Sequence, residues 1–501
     1  ITGTKLTKYG TATLYIGNNN TSLNETVLKA GTIKLNSDAS VSNGIGKKIT
    51  LLGGTLETLN STGPYLSSNN AFDVPSGYTS TVIAGARCEY NGALTGDGTL
   101  NWSTDFIRCY INGNWSAFNG TLNIIKNGAN STYEDKFIFN NSNGLPNASV
   151  SIASGVIMCY KNGTADNGTA TIKLGMLSGA GTFYNAGLEV GSNNKNGSFS
   201  GVISGSTSVK KVGTGQWIVS GANTYTGSTT LNEGSMTVSG SLATGTVNIN
   251  DGATMNLTGA TAGSAIVSTG GILNVSGRIG GSLTNNGSLR GTGTISGSTS
   301  LGNNSTTLPG NVAVGTLNFG ANVTMNASAN LSMQVSGGSA NCDKLAITGT
   351  FACNGTLEVS LLSGNLTEGA VYQLFTAASI TGTFATVTLP QLNSGLEWDL
   401  SELYTTGKIK VIKGTVTWNP QIKTGVIKNP STGIFQIYIE NPVAEMNVMV
   451  VNIEGKVIYE SKINASNGIF EIDLTNNSSG IYLMKIISGK EFSNVIKLIK
   501  I

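Results

Sequence analysis

The sequence predicts an all-β protein, in which a parallel β-helix (solenoid) is followed by a small antiparallel Ig-like β-sandwich. Three observations carry this prediction. Short alternations of apolar and polar residues recur, separated by glycine and asparagine, as half-buried strands and tight turns require. Related segments return about every 20 residues, the spacing of a coiled repeat. Charged residues make up only 11% of the 501 residues, against roughly 25% in average soluble domains.

The composition excludes several classes of protein. The chain has 68 glycines and no histidine, so a histidine-ligated metal centre and a catalytic triad with an imidazole base are impossible. A formal net charge of +3 gives no basis for nucleic-acid binding, and none is expected. The sequence contains no run of 18 apolar residues, so no membrane-spanning helix is predicted. We therefore predict no cofactor and no metal.

Repeats near the start of the chain set the coil length. Arg87–Cys88 returns as Arg108–Cys109, and Asn91–Gly92 returns as Asn112–Gly113. Stacked coils lie about 4.8 Å apart, so like residues lie above one another. Charges would repel in such a column, whereas Asn, Ser and Thr hydrogen-bond to their copies. A β-sandwich array with glycine-rich turns is the less favoured alternative for residues 1–340.

One segment carries a specific repeat motif. Residues 209–238 contain Lys211 and Trp217 followed by SGANTYTG, and they resemble the autotransporter-associated β-strand repeat. The resemblance implies a secreted, right-handed β-helix over residues 1–340. A degenerate copy begins the chain at Lys8 and Gly10. The positions of 209–238 that we assign to the repeat motif are Gly213, Gly215, Gly221, Asn223, Tyr225, Gly227 and Gly234.

Residues 341–413 are richer in large aromatic side chains than the preceding repeats. This stretch includes Phe375, Phe384, Trp398 and Tyr404, and it is similar to the segment that closes many repeat-bearing secreted β-helices. An open coil end would expose unpaired strand edges, so a terminal cap is required. We predict a β-helix end or cap at 341–413 and a linker at 414–425.

The composition changes again after the linker. Short strands alternate with turn signals such as Glu454–Gly455 and Ser479–Gly480, which predicts an antiparallel β-sandwich over 426–501. This region resembles the type A C-terminal sorting domain of the type IX secretion system of Bacteroidetes. The residues that carry the resemblance are Asn429, Pro430, Gly433, Phe435, Gly455, Lys456, Gly480, Tyr482, Lys497 and Lys500.

The sorting-domain resemblance implies partners and a location. Such domains are recognised by the type IX translocon and by an outer-membrane shuttle β-barrel, and they are usually cleaved after export. The cargo is then released or attached to surface lipopolysaccharide. We therefore expect a protein that is secreted or held at the cell surface, outside the outer membrane of a Gram-negative bacterium, with surface polysaccharide or lipopolysaccharide as a further partner. A plain Ig-like stalk or carbohydrate-binding domain is the alternative for 426–501.

Candidate catalytic groups are scattered. A glycoside hydrolase needs two carboxyl groups about 5–10 Å apart. Asp97 and Asp105 could approach each other this closely, but nothing in their spacing demands it. Arg87 and Arg108 are expected to stack one coil apart. Two stacked arginines could bind a sugar carboxylate, but an ion-pair ladder with nearby acids is the favoured interpretation. We assign no catalytic residue.

Five cysteines occur, none in a CxxC arrangement that would indicate zinc. Cys88 and Cys109 lie one coil apart, and Cys342 and Cys353 flank a predicted strand pair, so each pair could form a disulfide in a secreted protein. Buried free thiols are the equal alternative.

The sequence thus predicts a structural or adhesin-like β-helical cell-surface protein exported as type IX cargo. The alternative is a polysaccharide-degrading lyase or hydrolase, or the accessory region of one. Whether the chain is an enzyme stays open, and the missing histidine and scattered acids favour a non-enzyme.

Overall fold

The computed structural model describes residues 3–16, 23–35, 45–58, 66–85, 87–104, 108–126, 135–161, 167–338, 341–393, 395–414, 417–418, 422–440, 446–463, 468–488 and 491–501. Every regular element within these residues is a β-strand. The strands form long parallel sheets over most of the chain and small antiparallel sheets towards its end. The predicted fold class, a β-helix followed by a small antiparallel module, is therefore confirmed.

The strands of the first coils belong to three parallel sheets. Sheet A contains Lys5–Lys8, Glu25–Leu28, Lys48–Leu51, Ala71–Asp73 and Leu94–Thr95. Sheet B begins with Thr13–Ile16, Thr32–Leu35, Thr55–Glu57, Thr79–Ala84, Thr99–Thr104, Thr121–Lys126, Leu145–Ile152 and Thr171–Gly179. Sheet C contains Leu66–Ser68, Cys88–Tyr90, Arg108–Ile111, Asp135–Phe139, Val156–Tyr160, Thr182–Tyr184 and Val202–Ser204.

Sheet B branches at Thr171–Gly179, which pairs with both Gly187–Val190 and Gly197–Phe199. One branch continues with Val209–Lys211, Thr229–Leu231, Val247–Ile249, Ala265–Val267, Leu283–Asn285, Thr299–Leu301, Val323–Met325, Thr350–Cys353 and Ser379–Gly382. The other continues with Gln216–Val219, Gly234–Val238, Ala253–Leu257, Ile272–Val275, Ser288–Gly291, Thr306–Pro309, Asn330–Ser336, Thr356–Ser363 and Thr386–Thr388, and Asn341–Cys342 pairs antiparallel to this branch.

A third ladder, sheet D, runs beside the two branches. Its strands are Ser241–Leu242, Ala260–Thr261, Arg278–Ile279, Thr294–Ile295, Thr316–Phe319, Lys344–Ile347 and Phe375–Thr376. The coil then ends at a three-stranded antiparallel sheet made of Val371–Gln373, Leu396–Asp399 and Lys408–Lys413. Tyr372, Ile409 and Val411 of this sheet are buried in the same hydrophobic core as the coils.

The alternating pattern of the sequence is what fills the core. In Thr32–Leu35 the side chains of Ile33 and Leu35 are buried, while Thr32 and Lys34 are only half-buried. Adjacent side chains of a strand point to opposite faces, so every second residue enters the coil. One continuous cluster of buried apolar residues results, running from Ile16 to Val411.

Outside this core, asparagine side chains form ladders between coils. Asn91 donates to Asn69 at 2.9 Å, Asn112 donates to Asn91 at 2.7 Å, and Asn140 donates to Asn112 at 2.9 Å. The last two rungs span 21 and 28 residues of chain. The number of residues per coil is therefore not constant, yet the ladder continues across the longer coil. The hydrogen-bonded polar columns that the low charge content predicts are present.

The C-terminal module has two antiparallel sheets around its own core. The larger sheet contains Met446–Asn452, Val457–Ile463, Gly480–Ser488, Glu491–Phe492 and Ile496–Lys500, with Thr417–Trp418 pairing parallel to Glu491–Phe492. The smaller sheet contains Lys423–Val426, Ile434–Glu440 and Ile469–Asp473. Phe435, Val448 and Met484 are completely buried between these strands.

Candidate functional site

The lysine of the repeat motif is buried and serves the turn that follows it. The side chain of Lys211 has no exposed surface, and its Nζ donates to the carbonyl oxygens of Val212 at 2.8 Å and Gly213 at 2.7 Å. A third contact, at 3.4 Å, reaches the carbonyl of Glu233 in the next coil. Burial lowers the pKa of Lys211 to about 8. The lysine therefore binds two coils together through backbone oxygens rather than through a carboxylate.

The degenerate repeat at the start of the chain has the same arrangement. Lys8 Nζ donates to the carbonyls of Tyr9 and Gly10, both at 2.7 Å, and to Ala30 of the next coil at 3.2 Å. Lys8 is only 8% exposed. The lysine followed two residues later by glycine is thus a device for closing a turn, and it recurs in two copies far apart in the sequence.

The glycines of the motif allow neighbouring turns to touch. Gly213 has a φ of +67°, and a Cβ atom there would lie 2.1 Å from the carbonyl oxygen of Gly191. At Gly221 a Cβ would lie 1.8 Å from the oxygen of Gly201. No side chain fits such gaps. The remaining motif glycines, which pack against the preceding coil in the same way, are Gly215, Gly227 and Gly234.

The other motif residues hold the coil from inside. Trp217 is fully buried, and its Nε1 donates to the carbonyl of Leu177 at 3.0 Å. Asn223 accepts from the N–H of Ile203 and donates to the carbonyls of Gly221 and Ser241. The hydroxyl of Tyr225 is hydrogen-bonded to Thr229, and burial raises the pKa of Tyr225 to about 12. These contacts make the motif structural, with no free reactive group.

In the C-terminal module the first and last motifs are joined. The Asn429–Pro430 peptide bond is cis. Asn429 Oδ1 accepts from the N–H of Ile499 at 2.8 Å, and its Nδ2 donates to the carbonyl of Lys497 at 2.6 Å. Ser431 exchanges two further backbone bonds with the last strand. The asparagine-proline motif therefore fixes the terminal strand of the chain in place.

The terminal strand also contributes a buried lysine. Lys500 is 8% exposed, and its Nζ donates to the carbonyls of Thr475 and Asn477. Lys497, in contrast, is exposed. The two basic residues of the terminal motif thus have different roles, since one closes a turn and the other faces solvent.

The remaining sorting-motif residues lie at turns or in the core. Gly455 closes the hairpin after Asn452, beside the exposed Lys456. Gly480 opens a strand in which Tyr482 is 6% exposed and donates its hydroxyl to the carbonyl of Ser478 at 2.6 Å. Phe435 is completely buried. The motif as a whole specifies this small fold and leaves one lysine of the terminal strand, Lys497, exposed.

One face of the module is apolar and open. On the outside of its larger sheet, Val451 pairs with Val457 and with Leu483, and Ile481 pairs with Ile499. Three of these side chains are well exposed: Val457 by 46%, Ile481 by 41% and Leu483 by 38%. Lys485 and Lys497 lie on the same face. We call these seven residues the outer apolar face. Exposed apolar patches of this kind often mark interaction sites.

The candidate catalytic groups do not form a site in the described part of the chain. Asp97 accepts a hydrogen bond from Asn119 of the next coil at 2.9 Å, while Asp105 lies outside the described residues. The N–H of Arg87 donates to the carbonyl of Arg108, as stacking one coil apart predicts. No group of three or more potential metal ligands, and no helix long and apolar enough to cross a membrane, occurs among the described residues.

The structure describes all five cysteines as thiols, of which four are buried and Cys342 is partly exposed. Cys88 and Cys109 are register partners in neighbouring strands, as their spacing predicts. Cys342 Sγ instead donates to the carbonyl of Gln373 at 3.4 Å, and Cys353 is buried. Burial raises the pKa of Cys109 well above its usual value. Both pairings remain predictions.

Thiol labelling tests this description. Burial raises the pKa of Cys342 to about 11 and that of Cys353 to about 12, so both thiols stay protonated at neutral pH. Only the thiolate is reactive, and only Cys342 is partly exposed. In the folded protein at pH 8 we expect slow alkylation of Cys342 and no alkylation of the other four cysteines. Peptide mass spectrometry after labelling would measure this. A mass 2 Da below the reduced value in the secreted protein would show a disulfide instead.

A buried carboxylate follows the antiparallel pairing of Asn330–Ser336 with Asn341–Cys342. Asp343 is completely buried and accepts backbone hydrogen bonds from Gly315 and Gln334, both at 2.8 Å. Burial outweighs these bonds and raises the pKa of Asp343 to about 6. Sequence reasoning missed this residue, because an isolated aspartate in a polar stretch gives no sign that it will be buried.

The raised pKa predicts a pH dependence of stability. The folded protein binds the Asp343 proton more tightly than the unfolded chain, so this residue stabilises the fold fully below pH 4 and the benefit is lost as the pH rises through about 6. As the pH rises from 4 to 7, the thermal transition temperature of wild type should therefore fall relative to that of Asp343→Asn, whose side chain cannot titrate. Parallel pH profiles of the two proteins would contradict this assignment.

The lysine-closed turns, the stacked coils and the clamped terminal strand define a β-helical protein with a small antiparallel C-terminal module. Comparison with known families agrees. Residues 428–501 match the secretion system C-terminal sorting domain, and residues 209–238 match the passenger-associated transport repeat. Both resemblances seen in the sequence are thereby confirmed, and the protein is secreted and located at the cell surface. A search of curated proteins finds no match to the chain.

Proposed function

We propose that the protein is a structural or adhesin-like rod that the type IX secretion system carries to the cell surface. Residues 1–340 would form the rod, 341–413 its end and 426–501 the export address. Residues 414–425 would join them, although Thr417–Trp418 and Lys423–Val426 pair with strands of the C-terminal module. The observation that carries the proposal is the sorting-domain match at 428–501. The rod itself supports a mechanical role, since its motif residues are occupied in closing turns and packing the core.

Export of truncated protein tests the address. In a bacterium with a type IX system, the full chain should reach the cell surface or medium, whereas a chain ending at Val426 should accumulate in the periplasm. The rod has its own core, which shares no residue with that of the module, so we expect it to stay folded and protease-resistant there. Equal surface levels of both forms would refute the proposal.

We further propose that the outer apolar face contacts the export machinery, with the shuttle β-barrel as the expected partner. Leu483 is 38% exposed on this face, so Leu483→Asp should leave the module folded but lower surface levels several-fold. Ile469, exposed by 55% on the smaller sheet, provides the matched control in Ile469→Asp. Surface levels that fall equally in both variants would contradict a role for this face.

A further inference from the structure

The middle of the rod is almost without charge. Between residues 213 and 341 the only charged side chains are Glu233, Asp251, Arg278 and Arg290. Stacking explains why charges are rare here, because like charges in a column repel. It does not explain why two arginines are present in this part of the rod. Each of them lines a groove on the rod surface.

The groove at Arg290 has a polar lining that repeats from coil to coil. Asn256, Asn274 and Arg290 are register neighbours on three successive coils. A second column, displaced by two residues, contains the hydroxyl side chains Thr258, Ser276 and Thr292, and all three of these residues are exposed. The groove between the columns has a volume of about 210 Å³. It therefore offers amide, hydroxyl and guanidinium groups at the regular spacing of the coils.

Arg290 is oriented but has no anion. Its Nε donates to Ser288 Oγ at 3.0 Å, and no carboxylate of the described residues is within ion-pair distance. Beside it, Asn274 donates to Asn256 at 2.8 Å, while its own Oδ1 is buried and accepts no hydrogen bond from the described residues. A buried acceptor without a donor is unfavourable. The groove thus offers a guanidinium group without a carboxylate partner among the described residues, above an amide oxygen that is itself buried.

We propose that this groove binds a carboxylate-bearing sugar, a uronate unit of an extended acidic polysaccharide. Arginine presents a planar pair of donors that matches a carboxylate. The exposed hydroxyl column of Thr258, Ser276 and Thr292 would bind the sugar hydroxyls. A polymer lying along the rod can place successive units over successive coils. The small groove and single arginine suit one anchored unit.

Calorimetric titration of the full chain with oligogalacturonate tests the proposal, with the methyl-esterified oligomer as the uncharged control. Arg290→Gln should weaken binding at least about ten-fold, the loss typical of a charged hydrogen bond, and Arg290→Lys should recover only part of it. Arg278→Gln is the matched control variant. Arg278 likewise donates from Nε to a serine, Ser296, at 3.0 Å, but lines the other groove.

Three outcomes would overturn the proposal. The first is equal binding of the free acid and the methyl ester, and the second is an equal loss in Arg278→Gln and Arg290→Gln. The third is binding of a sulfated glycan but not of the oligogalacturonate. Unchanged thermal transitions in all three variants establish that the losses are not due to unfolding. The Arg290 side chain is half-buried at the groove and is not part of the hydrophobic core, so its replacement should leave the fold intact.

Discussion

Trp217→Ala is expected to be among the most damaging single substitutions in the rod. The indole is fully buried, and its Nε1 is hydrogen-bonded to the carbonyl of Leu177, which belongs to a coil two turns earlier in the chain. Truncation leaves a cavity and an unpaired carbonyl, and replacing a buried tryptophan by alanine costs about 3–5 kcal/mol. Hydrogen exchange should detect this destabilisation as a large loss of protection in the backbone amides of residues 171–257.

Trp217→Phe provides the matched control. It keeps most of the ring volume but loses the bond to Leu177, so we expect a smaller loss of about 1–2 kcal/mol. Because solenoid coils interact mainly with their neighbours, amides of the cap at 396–413 should keep their protection in both variants. Loss of protection along the entire chain would contradict this local effect.

Gly433→Ala is expected to have the largest effect in the C-terminal module. Gly433 has a φ of +137°, and a Cβ there would lie 2.8 Å from the Cα of Thr475. Its carbonyl accepts from Leu474, and Ser431 beside it pairs with the last strand. Backbone clashes of this kind cannot be relieved by a side-chain rotation. We expect the two ends of the module to separate, with loss of export and rapid proteolysis of 426–501.

Gly455→Asn is the control for this prediction. Gly455 also has positive φ, at +83°, but nothing lies within 4 Å of the position of its Cβ. Asparagine tolerates this conformation better than most residues, so the cost should stay within about 1 kcal/mol and export should continue. If both variants were exported like wild type, the contact between Gly433 and Thr475 would not be essential.

The sequence predicts much of this architecture because the coil imposes a pattern on it. Alternation identifies the strands of each coil, as in Thr32–Leu35, and the lysine-glycine turns mark the repeats. Long-range packing is less accessible. The bond from Trp217 to Leu177 skips one coil, and the burial of Asp343 depends on a hairpin with an antiparallel strand at Asn341–Cys342. Neither follows from residue spacing alone.

The groove at Arg290 was missed for a different reason. A single arginine in a polar stretch gives no periodic signal. Arg87 and Arg108, in contrast, recur at the coil spacing and therefore stand out in the sequence. Only the register of three coils brings Asn256 and Asn274 beside Arg290. The sorting motif, in contrast, was recognisable residue by residue, since its glycines and buried side chains have fixed structural tasks.

The asparagine ladders give the rod a direction. In every rung from Asn69 to Asn140, and again between Asn232 and Asn250, the side-chain amide of the later coil donates to the oxygen of the earlier one. The amide dipoles therefore add along the rod axis instead of cancelling. An interior rung such as Asn91 both donates and accepts, whereas a terminal rung does only one of these. Removing Asn91 should thus break two hydrogen bonds of the ladder, whereas removing a terminal rung should break only one.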